Sequence, residues 1–254
     1  MMEPVLIAGI GPEGAEGLSV GLRERIAQAD ELWGSERLFA LWPEHSAEKF
    51  ELAANIPLLV ERIRAREGRR IVVLASGDPG FYGIAGALLR HLPPDELEIV
   101  PAVTSLQWAF ARVGVAWNDA FLTSAHARPL AEVIGWAKRV PKLGILTDPK
   151  HSPAVIARAL ISAGLPDCRA VVGENIGLDG ERFTDTRLYR LPGLSFSPLN
   201  VLLLMQDPGW SPVALYTPRV DEAYAHRRGL ITKTDVRALS MARLALCETD
   251  TVWD

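Results

Sequence analysis

The stretch Val5-Leu6-Ile7-Ala8-Gly9-Ile10-Gly11-Pro12 is an apolar run that ends in a glycine turn, and a second such stretch is Ile71-Val72-Val73-Leu74-Ala75-Ser76-Gly77-Asp78-Pro79-Gly80. Short, β-branched apolar runs of this kind are typical of buried parallel strands. Because glycine has no side chain, a ligand could approach the backbone closely at these positions. Ligands of open α/β sheets bind at the carboxyl ends of the strands, where both turns lie. The two turns therefore predict one side of a small-molecule site.

Composition restricts the class of protein before any further motif is considered. The 254 residues are 48% hydrophobic and 23% charged, which is typical of a soluble globular protein. The net charge of -4 argues against a nucleic-acid binder that relies on phosphate contacts. Cys168 and Cys247 have no paired spacing, so we expect neither a disulfide framework nor a metal site, and reduced thiols favour the cytoplasm. No signal peptide and no apolar run near the ~20 residues of a membrane span are present.

The first 112 residues alternate between strand and helix patterns. After the first strand, the predicted elements are a helix from Ser19 to about Ala29, a strand at 31–34, a helix at 55–67, a strand at 71–75, a helix at about 82–91, a strand at 97–100 and a helix at 105–112. Strands that alternate with helices at this spacing indicate a parallel sheet covered on both faces.

The pattern changes near residue 115. The predicted strands downstream are 120–124, 143–147, 169–174, 186–191 and 200–206. The last two are separated by Pro192-Gly193, which predicts that they pair antiparallel. The expected fold class is therefore α/β, with a first domain at 1–114 whose sheet is mainly parallel and a second domain at 115–206 whose sheet is mixed. Residues 207–228 are rich in proline and predict an extended linker.

The first glycine turn leaves two interpretations open. Gly9, Gly11 and Gly14 match the pattern G-x-G-x-x-G of dinucleotide-binding proteins, which would predict a nicotinamide or flavin cofactor. Pro12, however, removes a backbone donor from the turn, and the helix starts only near Ser19, whereas that fingerprint needs it among the glycines. The alternative is that these glycines serve tight turns alone.

The second glycine turn adds a charge and aromatic rings. Asp78 is a carboxylate at the end of a buried strand, and Phe81 and Tyr82 follow it. An acid next to aromatic residues suits a ligand with a ribose or an amino group and a flat base. The alternative is an ordinary Asp-Pro-Gly turn.

Together these turns resemble those of the tetrapyrrole (corrin and porphyrin) methyltransferase family, over residues 4 to about 206. The resemblance is carried by Gly9-Ile10-Gly11-Pro12, Gly77-Asp78-Pro79 and Pro101-Ala102-Val103-Thr104-Ser105. The stretches Thr123-Ser124-Ala125-His126-Ala127-Arg128 and Gly173-Glu174-Asn175 resemble the branch that methylates C5 of the corrin ring in cobalamin biosynthesis. Glu13 departs from the glycine that is usual in the first turn of the family.

The resemblance implies two α/β domains with a cleft between them, S-adenosylmethionine as the cofactor and in-line methyl transfer to a corrinoid. The cofactor-binding residues that it implies are Gly11, Pro12, Gly77, Asp78, Phe81, Thr104, Ser105, Leu106, Leu146, Glu174 and Leu199. No catalytic base is assigned, and His126 and Arg128 are the candidates for positioning the substrate. The cluster Arg62, Arg64, Arg66, Arg69 and Arg70 is interpreted as a solvated face.

Residues 229–254 resemble the opening of a second methyltransferase domain, which in the family performs C15 methylation and decarboxylation. Its predicted helix, 232–246, carries Val236, Leu239 and Leu244 on one face. Because the glycine loop of that domain is not in the sequence, we expect C5 methylation alone. A homodimer is implied, with apolar surface near Trp108, Phe110 and Trp117 as the local indication. Two alternatives stay open: a methyltransferase of this fold with a protein or RNA acceptor, and a non-catalytic cofactor-binding subunit.

Overall fold

The computed structural model describes residues 3–52, 55–212, 220–225, 231–244 and 251. The chain divides into two compact units. Unit 1 consists of the described residues within Met1–Trp108 and Ile176–Asp179, and unit 2 of those within Ala109–Asn175 and Gly180–Asp254. Among the described residues, no helix has the length and apolar character that a membrane crossing requires.

Unit 1 is built on a fully parallel five-stranded sheet with helices on both faces. Its elements are β1 Val5–Ile10, α1 Val20–Ala27, β2 Glu31–Gly34, α2 Glu36–Phe39, β3 Glu48–Glu51, α3 Ile56–Arg64, β4 Ile71–Ser76, α4 Ile84–Leu88, β5 Leu97–Val100 and the start of α5, Ser105–Arg112. The strand order is β3-β2-β4-β1-β5, and every neighbouring pair is parallel. The prediction of a mainly parallel first sheet is confirmed.

The alternation of side chains along β1 gives each face of the sheet its own core. Leu6 and Ala8 pack with Ile26 of α1 on one face, whereas Val5 and Ile7 pack with the residues of α3 and α4 on the other. The Ser19 hydroxyl caps α1 by accepting the Leu22 N–H at 3.3 Å, as the sequence predicts.

One sequence expectation for unit 1 needs correction, and two elements were missed. The helix predicted at about 82–91 is only Ile84–Leu88, because Tyr82 has a φ of +53° and Gly83 packs against the backbone of Pro79. The strand β3 and the short helix α2 were not predicted, since a charged edge strand has no apolar alternation to reveal it.

The arginine cluster is not simply a solvated face. Arg66 is 5% exposed, and it donates to the Ile63 carbonyl at 2.7 Å. Arg62 and Arg69 both approach the buried carboxylate of Glu31, at 3.1 and 3.4 Å. These arginines neutralise a buried acid and the carboxyl end of α3 at the amino edge of the sheet. A cavity of about 290 Å³ lies at the same edge, away from the glycine turns.

Unit 2 has a mixed five-stranded sheet, as predicted. Its elements are the rest of α5, β6 Phe121–Ser124, α6 Leu130–Ala137, β7 Lys142–Leu146, α7 Pro153–Ser162, β8 Arg169–Glu174, β9 Arg182–Arg187, β10 Asn200–Met205 and α8 Thr234–Leu244. The order is β6-β7-β10-β8-β9, in which only β6 and β7 are parallel. Ile145, Val172 and Leu202 lie in a core that α6 and α7 complete.

The predicted pairing of 186–191 with 200–206 is wrong. The strand before Pro192 is Arg182–Arg187, and it pairs antiparallel with β8. A 3₁₀ turn at Leu188–Gly193 follows, because Leu188 and Leu191 turn into the core. The last strand, β10, lies between β7 and β8 and is antiparallel to both. Sequence adjacency therefore misassigned the neighbours of β10.

The described part of the tail contains α8, whose apolar residues Val236, Leu239 and Leu244 are 55–57% exposed. Residues 213–219 and 226–228 of the predicted linker, the last two residues of the predicted helix 232–246, and Cys247 lie outside the described residues. The indication of an apolar surface near Phe110 is wrong in one respect. Phe110 is fully buried, so only its neighbours offer exposed apolar area, with Trp117 at 40%.

Candidate functional site

Three turns of unit 1 meet at Gly9, at the carboxyl edge of its sheet. A Cβ at Gly9 would lie 2.3 Å from the Gly77 carbonyl oxygen and 2.7 Å from the Ala102 nitrogen. The Gly77 N–H donates to the Ile10 carbonyl at 2.7 Å, which extends the pairing of β1 and β4 into the turns. Gly77 has a φ of +66°, which glycine adopts without strain. The predicted residues Gly11, Pro12, Gly77 and Asp78 are therefore brought to one edge.

The second turn leaves part of a carboxylate unused. Asp78 Oδ1 accepts the Gly80 N–H at 2.7 Å, and Oδ2 has no hydrogen-bond partner among the residues that the structure describes. Phe81 meets Tyr82 edge to face, with ring centroids 4.9 Å apart. The turn thus presents an acceptor oxygen beside two aromatic rings.

The third turn caps the helix α5. The Thr104 N–H donates to Gln107 Oε1 at 2.8 Å, and the Gln107 N–H donates to Thr104 Oγ1 at 3.3 Å. This reciprocal pair is a capping box that fixes the start of α5. Ser105 is half-buried, whereas the Leu106 side chain is fully buried, so Leu106 could meet a ligand only through its backbone.

The first turn is not built like a dinucleotide fingerprint. A 3₁₀ turn at Gly14–Gly17 follows the glycines, and α1 starts only at Val20. The segment Ile176–Asp179 packs on this turn instead, and a Cβ at Gly177 would lie 2.2 Å from Pro12 Cβ. Gly177, with a φ of +74°, is therefore needed for the close approach, and sequence reasoning missed it.

Predicted residues of unit 2 lie at the end of its sheet where β6, β7 and β8 finish. Leu146 ends β7, Glu174 ends β8, and Leu199 precedes β10 and is 45% exposed. The Asn175 N–H donates to the Leu199 carbonyl at 2.9 Å, which holds Leu199 beside Glu174. The structure brings these residues to the same edge.

Glu174 is fully engaged within the protein. Its buried carboxylate accepts two bonds from Arg182, at 2.7 and 2.9 Å, and one from the Ser197 N–H at 2.7 Å. Burial opposes its ionisation, but the Arg182 and Ser197 donors outweigh burial and hold the pKa of Glu174 below its usual range. The carboxylate of Glu174 therefore fixes the loop before β10.

His126 and Arg128 lie in an exposed turn after β6, with the His126 side chain 70% exposed. Asp148, which follows β7, accepts the Ala127 N–H at 2.8 Å and lies 3.9 Å from His126 Nδ1. Sequence reasoning missed Asp148 because it is 21 residues from Ala127 in the chain. The parallel pairing of β6 and β7 is what brings the two together.

The residues of unit 1 suit a nucleoside-bearing cofactor. The turns that meet at Gly9 leave Gly11 and Gly77 partly exposed at the carboxyl edge, and Asp78 Oδ2 is an acceptor for hydroxyl or amino groups. Within the described ranges, no three His, Cys, Asp or Glu side chains are grouped so that they could hold a metal ion. The fold and this edge define an α/β protein with a candidate site for a small organic molecule.

The chain belongs to the tetrapyrrole (corrin/porphyrin) methylase family, whose model matches residues 4–192. It is 36% identical to the cobalt-precorrin-7 C(5)-methyltransferase of Salmonella typhimurium, over 69% of this chain and 87% of that protein. It is 34% identical to the precorrin-6Y C(5,15)-methyltransferase [decarboxylating] of Sinorhizobium sp., over 98% of this chain and 60% of that protein. The crystal structure of the precorrin-6Y methylase from Archaeoglobus fulgidus matches with a TM-score of 0.58 and 25% identity, over 80% of this chain and 97% of that one.

Proposed function

We propose that the chain is an S-adenosylmethionine-dependent methyltransferase that methylates C5 of a precorrin-7-type intermediate of cobalamin biosynthesis. The observation that carries this proposal is the 36% identity to the C5-methyltransferase of Salmonella typhimurium, of which the chain covers 87%. The glycine turns of unit 1 and the intact Asp78 support catalysis over the role of a silent binding subunit.

S-adenosylmethionine, when bound, supplies an electrophilic methyl group. In unit 1 the residues proposed to hold it are Gly11, Pro12, Gly77, Asp78, Phe81, Thr104, Ser105 and Leu106, and in unit 2 they are Leu146, Glu174 and Leu199. Asp78 Oδ2 would accept hydrogen bonds from the cofactor, because only Oδ1 of this carboxylate is bonded to the turn, through the Gly80 N–H. Glu174 acts indirectly, because its carboxylate is held by Arg182 and the Ser197 N–H.

The protein contributes mainly alignment. An electron-rich ring carbon attacks a sulfonium methyl in line, so the chief tasks are to orient the acceptor and to exclude water. We assign the orientation of the acceptor to His126 and Arg128, which are exposed residues of the turn that Asp148 contacts. No proton-transfer step is assigned to His126.

The cofactor is tested by calorimetry on the purified chain. We expect S-adenosylmethionine to bind with a micromolar or lower Kd and NAD not to bind, because α1 starts too late to receive a pyrophosphate at its amino end. Binding of NAD in the absence of S-adenosylmethionine binding would overturn the assignment of the cofactor.

The acceptor is tested by incubation with the precorrin substrate and mass spectrometry. The expected product gains a single methyl group at C5 and retains its acetate carboxyl group. Loss of carbon dioxide would contradict a C5-specific activity of these 254 residues. Methylation of a protein or RNA with no corrinoid product would favour the alternative acceptor.

We further propose that residues 229–254 correspond to the opening of a second methyltransferase domain and that 207–228 is a linker. The match to the Sinorhizobium protein, which covers 98% of this chain and 60% of that protein, supports this division. The bounds 1–114 and 115–206 stay proposals beside the two observed units. We also propose that the protein is a homodimer.

A further inference from the structure

The residues 125–128 form a turn with an unusual backbone conformation. Ala127 has a φ of +52°, in the left-handed region that residues with a Cβ seldom adopt. Conformations of this kind persist only where the surrounding structure holds them. The His126 N–H donates to Ser124 Oγ at 3.1 Å, and the Arg128 N–H donates to the Ala125 carbonyl at 3.3 Å, so neither of these bonds holds the N–H of Ala127 itself.

The N–H of Ala127 is held by Asp148. This residue is 8% exposed and follows β7. Its Oδ2 accepts the Ala127 N–H at 2.8 Å, and its Oδ1 accepts the His151 N–H at 2.6 Å. Burial opposes ionisation, but these backbone donors, together with the nearby histidine rings, outweigh it and lower the pKa of Asp148. The acid is therefore a charged clamp at neutral pH.

His151 closes the arrangement from the other side. Its Nδ1 lies 2.8 Å from the Ala125 carbonyl, so this nitrogen carries the proton and donates. Asp148 thus holds Ala127 directly and Ala125 through His151. The hydrogen bonds and ionic contacts of Asp148 to the turn and to His151 have distances from 2.6 to 3.9 Å.

The clamp presents cationic and imidazole groups outward. His126, Arg128 and Lys150 are exposed around the buried acid, and Glu132 lies 3.9 Å from Arg128. An anionic group of an acceptor, such as a carboxylate, fits this surface because guanidinium and ammonium groups bind carboxylates.

We infer that Asp148 is a positioning residue, which holds the 125–128 turn so that His126 and Arg128 receive an anionic group of the acceptor. The inference rests on the proposed function for the identity of the acceptor. The geometry of the turn is independent of the proposed function. Asp148 itself meets no substrate.

The geometry is tested with Asp148→Asn in the full chain. The amide keeps one oxygen acceptor but directs an NH₂ group at the other N–H donor, so one clamp bond is lost. We expect hydrogen exchange of the Ala127 or His151 amide to accelerate at least tenfold. The matched control is Asp119→Asn, which removes an exposed partner of Lys142 elsewhere in unit 2 and should leave both amides unchanged. Unchanged exchange in Asp148→Asn would overturn the clamp.

The effect on the acceptor is tested with cobyrinic acid and its heptamethyl ester as probes. The wild type should prefer the free acid, and Asp148→Asn should weaken binding of the acid about tenfold while binding of S-adenosylmethionine changes less than twofold. Addition of Ala127→Gly should restore part of the loss, because glycine adopts the left-handed conformation without strain. An equal loss for the acid, the ester and S-adenosylmethionine would mean a merely structural role.

The double variant Asp148→Asn/His126→Ala distinguishes an effect of Asp148 through the turn from an independent, merely structural effect. If Asp148 acts through the turn, the double variant should bind the acid no more weakly than the worse single variant. Additive losses would contradict the inference. A wild-type chain that binds S-adenosylmethionine but neither probe would overturn the proposed acceptor, and amide exchange would still decide the role of Asp148.

Discussion

Gly9→Ala probes the meeting point of the three turns of unit 1. The new methyl group would lie 2.3 Å from the Gly77 carbonyl oxygen, 2.7 Å from the Ala102 nitrogen and 3.0 Å from the Val100 carbonyl oxygen. Real Cβ atoms essentially never come closer than 3.0 Å to such atoms, so the Gly77 oxygen alone must recede by 0.7 Å, from 2.3 to 3.0 Å. All three obstacles are backbone atoms, which cannot move aside by rotating a side chain.

The expected cost follows from this crowding. Overpacking of an interior costs ~1–3 kcal/mol, and backbone obstacles place this site near the upper end. Alanine recovers ~0.5–1 kcal/mol in a strand because it loses less backbone entropy than glycine. We therefore expect Gly9→Ala to lower the free energy of unfolding of unit 1 by about 2 kcal/mol. Binding of S-adenosylmethionine should weaken as well, since the turns must separate.

The free energy of unfolding is measured by urea denaturation. Hydrogen exchange of the β1 amides then gives the stability of unit 1 separately. The matched control is Gly21→Ala in α1, where a Cβ meets no atom within 4 Å. Alanine should stabilise that helix by ~0.5–1 kcal/mol. The two variants thus carry the same chemical change with opposite expected signs. A Gly9→Ala protein as stable as the wild type would refute the convergence of the turns.

Three further predictions concern the cofactor, pH and assembly. Asp78→Ala should weaken S-adenosylmethionine binding at least tenfold in calorimetry while the free energy of unfolding changes by less than about 1 kcal/mol, because a turn acceptor contributes little to the core; a collapse of stability with unchanged affinity would make Asp78 structural. Glu174→Gln should destabilise unit 2 by ~1–2 kcal/mol at pH 7, since the lowered pKa of Glu174 stabilises the fold above the unfolded pKa of about 4.3. The difference in stability between Glu174→Gln and the wild type should disappear as the pH falls through the folded pKa of Glu174. The control is Asp185→Asn, which removes an exposed ion pair with Arg169 and should cost ~0–1 kcal/mol in the same denaturation series. Light scattering at micromolar concentration should give the mass of a homodimer, and a monomer would contradict the proposed assembly.

Local patterns carried much of the information about unit 1. The strands at 31–34 and 97–100 and the helix at 105–112 have the predicted bounds, because each is a short apolar run or an amphipathic period between turn residues. The glycine turns were likewise predicted from the sequence, and the N-cap residue Ser19 predicted the start of α1.

The strand order of unit 2 was decided only by tertiary structure. The insertion of β10 between β7 and β8 depends on which edge of the folded sheet is open, and no local period encodes this. Leu188 and Leu191 are predicted as part of a strand, yet they lie in a 3₁₀ turn and pack in the same core cluster as Leu160 of α7. Tertiary context thus overrode local propensity at this point.

The sequence by itself determined most of the elements, the glycine turns and the family, since these depend on residues that are close together in the chain. Tertiary structure alone decided which distant groups meet: Gly177 on Pro12, Ser197 on Glu174, and Asp148 on the turn that bears His126. Such pairs form when parallel strands end at a common edge or when a loop folds back, so their partners are separated by many residues. The physical reason is that hydrogen bonds and packing act over a few ångströms in space, whereas sequence patterns report only on neighbours along the chain.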